Sequence, residues 1–192
     1  MDNSLIKFLS KYQSLTAEEV SIIEQHNLVR EYKNGALLLK EGQIPKDCFL
    51  VLKGCVRSYY LIDGEEKTTE FFTELQPITP NGYATKTPSP CYLECLEDAV
   101  LSISNAEKTN QFLRDYPQFA TLMTIIGNDV LAHKQEALDD FKNLSPEKRY
   151  LELQKKRPEL INRVPQHQLA SFLGIKPQSL SRIRKRIIQK HK

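Results

Sequence analysis

Nowhere among the 192 residues is there an uninterrupted apolar run of the roughly 18 positions a membrane span needs. The opening residues, MDNSLIKFLSKYQ, lack the basic head and continuous apolar stretch of a secretion signal. A cytoplasmic protein with no membrane partner is therefore expected. Four cysteines, Cys48, Cys55, Cys91 and Cys95, are too few for a disulfide framework in a chain of this size, and none stands in a CxxC pair. Histidine is missing from Asn27 through Ala132. This argues against a metal-dependent enzyme of the cupin type, which shares the strand-rich texture described below but needs several inward-facing histidines. Neither GxGxxG nor GxSxG occurs, and His26, His133, His167 and His191 are scattered. No catalysis, metal or cofactor is expected.

Charge is unevenly divided. Residues 1–141 hold 13 basic and 21 acidic residues, a net of −8, whereas residues 142–192 hold 14 and 3, a net of +11. The C-terminal quarter is the part that would seek a polyanion.

Thr16 to Glu19 reads as a capping box opening a short helix to about His26, with Leu15 and Val20 at staple positions. From Leu28 to Ser104 short apolar or alternating runs are separated by turn residues, the texture of an antiparallel β sandwich or roll. Asp63-Gly64 is a hairpin turn, since both residues tolerate positive φ. Ser104 to Glu107 reads as a second capping box, opening a helix to about Asp115. After Pro117, apolar residues at spacings of four and three, including Phe119, Met123, Ile126 and Val130, predict a helix of about 24 residues. That stripe needs cover, either its own roll or the same helix of a second copy, and its length favours a dimer seam. Ser145-Pro146 then caps a new helix. The predicted class is α+β: a jelly-roll-like sensor at 1–115, a dimerising helix at 116–143 and a helical head at 144–192.

The strongest local signal is QHQLASFLGIKPQSLSRIRK, residues 166–185. A helix-turn-helix needs a small residue inside its first helix, glycine at the turn and apolar residues recurring inward. Ala170, Gly174 and the set Leu169, Leu173, Ile175, Leu180 and Ile183 meet these needs. Gln178, Ser181, Arg182 and Lys185 then fall on the outward face. Gln178 suits adenine and Arg182 suits guanine, so these positions are candidate base readers in double-stranded DNA. Ser179, Arg184, Arg186, Lys190 and Lys192 suit phosphates.

These segments resemble the Crp/Fnr family of transcription regulators over nearly the whole chain. The residues that carry the likeness are EGQIPKDCFLVLKGCVRSYYLIDGEEKTTEFF, SPEKRYLELQKKRPELINRVPQHQLASFLGI and KPQSLSRIRKR, the last two being especially similar to the Bacteroidetes-type branch. The resemblance implies a homodimer with a cyclic-nucleotide-binding-like roll, a long central helix and a reader carrying an acidic or amide residue four positions before an arginine, the places of Gln178 and Arg182. RNA polymerase is a further partner open to such a regulator. Where nucleotide-binding members have Gly-Glu-Leu and Arg-Ser, this chain has Thr73-Glu74-Leu75 and Pro88-Ser89. Glu74, Leu75 and Ser89 are thus the candidate effector pocket. The cationic phosphate contact is missing from it, and residues 127–142 hold no Ser or Thr to meet a base. A cyclic nucleotide is not the expected effector; another small ligand, or none, stays open. The iron–sulfur variant of the family needs cysteines ahead of the roll, and Cys48 is the first here. No hairpin wing follows the reading helix. An alternative reading keeps the roll as an interaction module without specific DNA binding.

Overall fold

The structure, a computed structural model, describes residues 4–190, with side chains through 189. Eight strands lie between Leu28 and Ser104, the span expected from the alternating pattern: β1 (Leu28–Tyr32), β2 (Leu37–Leu39), β3 (Cys48–Lys53), β4 (Val56–Ile62), β5 (Glu65–Phe72), β6 (Pro77–Ile78), β7 (Tyr92–Cys95) and β8 (Ala99–Ser104). They form two four-stranded sheets, β1-β8-β3-β6 and β2-β7-β4-β5. Asp63 and Gly64 both have positive φ, 52° and 77°, so β4 and β5 are joined by the tight turn the sequence predicts.

β3 reads CFLVLK, apolar almost throughout, because both of its faces are covered. Phe49 and Val51 point into the roll with Leu39, Val56, Leu93 and Leu101. Leu50 and Leu52 point the other way, into a second core built by helices. These are α1 (Ser4–Leu9), α2 (Ala17–His26), α3 (Ala106–Asp115), a 3-10 turn at Pro117–Phe119 and the first half of α4 (Ala120–Asn143). The Thr16–Glu19 capping box is formed. The cap of α3 is Asn105, whose side chain accepts from the Lys108 N–H at 2.9 Å. The box expected from Ser104 is therefore displaced by one residue, because the asparagine side chain reaches that amide itself. α1 was not legible as a helix; its Phe8 and Leu9 are buried in the helical core.

Phe119 and Ile126 are 3% and 8% exposed in that same core, with Val130 packed against it. The seam expected at Phe119, Met123, Ile126 and Val130 is thereby corrected, since most of it is spent on the chain's own roll. Of the four, only Met123 is substantially open, at 43% exposed. The outward apolar stripe lies on the adjacent sector of α4, through Met123, Gly127, Leu131 and Leu138.

The described residues form two compact units. Residues up to Ser58 pack with Phe71–Ala132, while Tyr59–Glu70, most of the β4–β5 hairpin, packs with the residues from His133 onward. The second unit contains α5 (Pro146–Lys156), α6 (Pro158–Arg163), α7 (Gln166–Phe172) and α8 (Pro177–Lys190). Ser145 caps α5, with Pro146 in its first turn as expected. Tyr150, Leu153, Leu160, Val164, Leu169, Ala170, Leu173, Leu180 and Ile183 are among its buried residues. Among the described residues no helix is long and apolar enough to cross a membrane.

Candidate nucleic-acid interface

α7 and α8 meet at a turn whose geometry the sequence dictates. Gly174 has φ +69°. Its N–H donates to the Ser171 carbonyl at 2.9 Å, and the Ile175 N–H donates to the Ala170 carbonyl at 3.0 Å. This pair of bonds is a Schellman cap, which closes the last carbonyls of α7 and requires a residue that tolerates the left-handed region. The turn is braced from the end of α4. The Phe141 ring lies over Gly174, the Arg149 guanidinium stacks 4.4 Å above that ring, and Arg149 Nη1 donates to the Phe141 carbonyl at 2.7 Å. Nothing in the spacing of the sequence marked Phe141 or Arg149 for this role.

With Leu180 and Ile183 buried beneath α8, Gln178, Ser181, Arg182 and Lys185 are all exposed on its opposite side. The geometry gathers the four expected base readers on one face. The expected phosphate contacts are not equivalent to one another. Ser179 is half-buried at the helix start. Arg184 is half-buried and donates to Gln166 Oε1 at 2.6 Å, bracing α8 against the start of α7. Arg186 pairs with Glu147 of α5 at 2.6 Å. A phosphate would have to displace these partners. Lys190 ends α8, its side chain outside the described residues, and Lys192 lies outside them altogether.

In the roll, the expected effector residues are not brought together. The Glu74 carboxylate is exposed and accepts from the Gly54 N–H at 2.9 Å, closing the β3–β4 turn. Gly54 itself has φ +104°, and a Cβ there would stand 2.8 Å from Ala99. Leu75, at φ +65°, turns outward to the helical core. Both therefore depart from the pocket assigned to them, because the turn after β5 faces away from the roll interior. Ser89 is buried, 1% exposed, but its hydroxyl donates to the Cys91 carbonyl at 3.0 Å and accepts from the Cys91 N–H at 3.3 Å. Its backbone pins the preceding loop through Gly42 and Gln43. A cleft of about 570 Å³ opens beside the β2–β3 connection instead, lined by Leu39, Ile44, Phe49 and Pro80 with Lys46 and Asp47.

One buried ion pair was missed by sequence reasoning. Arg57 on β4, 2% exposed, pairs with Glu94 on the neighbouring β7 at 2.5 Å. Burial, with Glu94 adding, pushes the Cys95 thiol up to about 11, which keeps it protonated and a poor nucleophile near neutral pH. None of the four cysteines stands in a disulfide. Among the described residues no group of three His, Cys, Asp or Glu side chains is placed to hold a metal.

Residues 29–116 match the family model of the cyclic nucleotide-binding domain. No curated protein matches the sequence at a significant level. Several solved structures are similar. CLP of Xanthomonas campestris, described as a c-di-GMP responsive global regulator, is 16% identical with a TM-score of 0.68, covering 92% of this chain and 93% of its own. A CooA mutant from Carboxydothermus hydrogenoformans is 15% identical with a TM-score of 0.67, covering 88% and 79%. The catabolite activator protein of Thermus thermophilus is 19% identical with a TM-score of 0.56, covering 96% and 88%. At such identities the likeness speaks for the fold and leaves the activity to be argued from the site. Over residues 29–116 the chain is thus similar to the cyclic nucleotide-binding domain, and it shares its fold with CLP, CooA and the catabolite activator protein.

Proposed function

We propose that this chain is a sequence-specific transcription regulator that reads double-stranded DNA as a homodimer, with α8 as the reading helix. The observation that carries the reading is the exposed quartet Gln178, Ser181, Arg182 and Lys185, held outward by buried Leu180 and Ile183 behind a capped turn. An arginine fork on guanine and an amide on adenine discriminate bases; lysines at the helix end neutralise phosphate without discriminating. Arg182→Ala is expected to cost about 1–3 kcal/mol at the preferred site and to relax preference at one base pair, while leaving affinity for random DNA little changed. Selection from genomic fragments followed by a salt-dependent gel shift measures both. Equal losses on selected and random DNA would remove Arg182 from base reading. Failure of the wild type to select any site would favour an interaction module instead.

The dimer is carried by α4, whose outward stripe of Met123, Gly127, Leu131 and Leu138 is apolar and open. One reading helix touches too few base pairs for useful selectivity, so two heads and an inverted-repeat site follow. The roll's effector, where it takes one, is a small molecule other than a cyclic nucleotide. Pro88 supplies no donor, Glu74 caps a turn, and the Ser89 hydroxyl is committed to Cys91. Calorimetry with cyclic AMP is expected to show no resolvable binding; a dissociation constant of about 1 μM or tighter would overturn this.

A further inference from the structure

The β4–β5 hairpin packs in the same unit as the reading head, and the contact is built from particular bonds. The Thr68 N–H of β5 donates to Ser171 Oγ on α7 at 2.9 Å, and Ser171 Oγ donates to the Glu66 carbonyl at 3.4 Å. One serine hydroxyl therefore serves two backbone groups of the hairpin, in place of strand partners. Arg157 adds an ion pair to Glu70 at 3.5 Å. The contact also carries a built-in penalty. Thr68 and Gln168 are 4% and 8% exposed, yet Thr68 Oγ1 and Gln168 Oε1 have no hydrogen-bond partner. Gln168 and Ser171 are three apart on α7 and so share a face. Each buried polar atom left unpaired offsets part of what the bonds contribute.

The hairpin tip is acidic, with Asp63, Glu65 and Glu66 exposed. The Lys67 ammonium chiefly, with the charge of Lys176 adding, holds the Glu65 carboxyl below the usual carboxylate range. Lys176 immediately precedes α8. In a helix-turn-helix the first helix crosses the DNA backbone, so the α7 surface and Lys176 are where phosphates would approach. An acidic tip at the same place repels them.

We infer that the β4–β5 hairpin is an autoinhibitory clasp, which holds α7 through Ser171 and competes with DNA phosphates for the reading head. The inference rests on the DNA-binding reading above. Opening the clasp frees Ser171; closing it holds Ser171 and sets the Glu65 charge near the exposed Lys176.

The test uses the full chain, a random-sequence duplex, fluorescence anisotropy for affinity and hydrogen exchange at the Thr68 amide for the clasp. In the free wild type that amide is protected, and saturating duplex removes the protection. Thr68→Val deletes the unpartnered hydroxyl at nearly constant shape, so it should slow the exchange further and weaken duplex binding by about fivefold. Ser171→Ala should speed the exchange and bind the duplex at least as tightly as wild type. The clasp is overturned if duplex saturates the protein with Thr68 protection unchanged, or if Thr68→Val binds as tightly as wild type. A protein that opens on random duplex yet selects no genomic site refutes the regulator reading and leaves the clasp standing. Absence of binding by all three proteins overturns both.

Discussion

Leu131→Glu is expected to convert the protein to a monomer and abolish selective DNA binding while leaving the roll folded. Leu131 is 67% exposed on α4, on the open stripe with Met123 and Leu138, so its side chain has little contact with its own chain to lose. In a symmetric pair of such helices the same residue lies near its counterpart, and two glutamates there bury like charges without a partner. An uncompensated buried charge costs about 3–5 kcal/mol, enough to dissociate a micromolar dimer. Selectivity then collapses, because specific complexes gain a factor of about 10³–10⁷ over nonspecific ones only when both half-sites are engaged. Ile126→Glu gives the contrast. Ile126 is buried among Phe8, Leu50 and Leu122, so a carboxylate there is expected to unfold the first unit. Light scattering coupled to size exclusion reads the outcome. A wild-type mass of 22.2 kDa at micromolar concentration, or a Leu131→Glu variant still at twice that mass, would refute the α4 dimer.

Gly174→Val is expected to destabilise the C-terminal helices by about 3 kcal/mol and with them to remove DNA binding. Two independent costs meet at this position. At φ +69° a β-branched side chain is strained against its own backbone. A Cβ would also stand 3.0 Å and 3.1 Å from two atoms of the Phe141 ring, which Arg149 pins from above. Relief means breaking the cap bonds of Gly174 to Ser171 and Ile175 to Ala170. Gly174→Asn separates backbone from shape, since asparagine tolerates left-handed φ but still carries a Cβ; its loss should be smaller. Urea midpoints for the three proteins decide it. A valine variant with the wild-type midpoint would mean that the Gly174 turn does not require a glycine.

The glycine at this turn could be read directly from the sequence, as could the strand-rich span from Leu28 to Ser104, the Asp63-Gly64 hairpin, the Thr16 and Ser145 caps and the outward face of α8. Each is a local matter of period, φ or a side chain within reach of its own backbone. The displaced cap at Asn105 shows the limit of that reasoning, for two neighbouring residues can both cap and the backbone chooses between them. The candidate effector residues are placed apart for a different reason. Glu74 and Leu75 match a short pattern, but Glu74 answers to Gly54 and Leu75 to the helical core.

By itself, then, the sequence determined the α+β class, the order of roll, long helix and helical head, and which residues of α8 stay in solvent. These follow from periodicities of two and 3.6 that any local window displays. Only the tertiary structure decided which of two adjacent apolar sectors of α4 the roll covers, that Arg149 and Phe141 brace the Gly174 turn, and that a roll hairpin docks on Ser171 of the head. Those outcomes depend on pairs as far apart as Thr68 and Ser171. Proximity of that kind comes from the packing of whole elements, which no local pattern records.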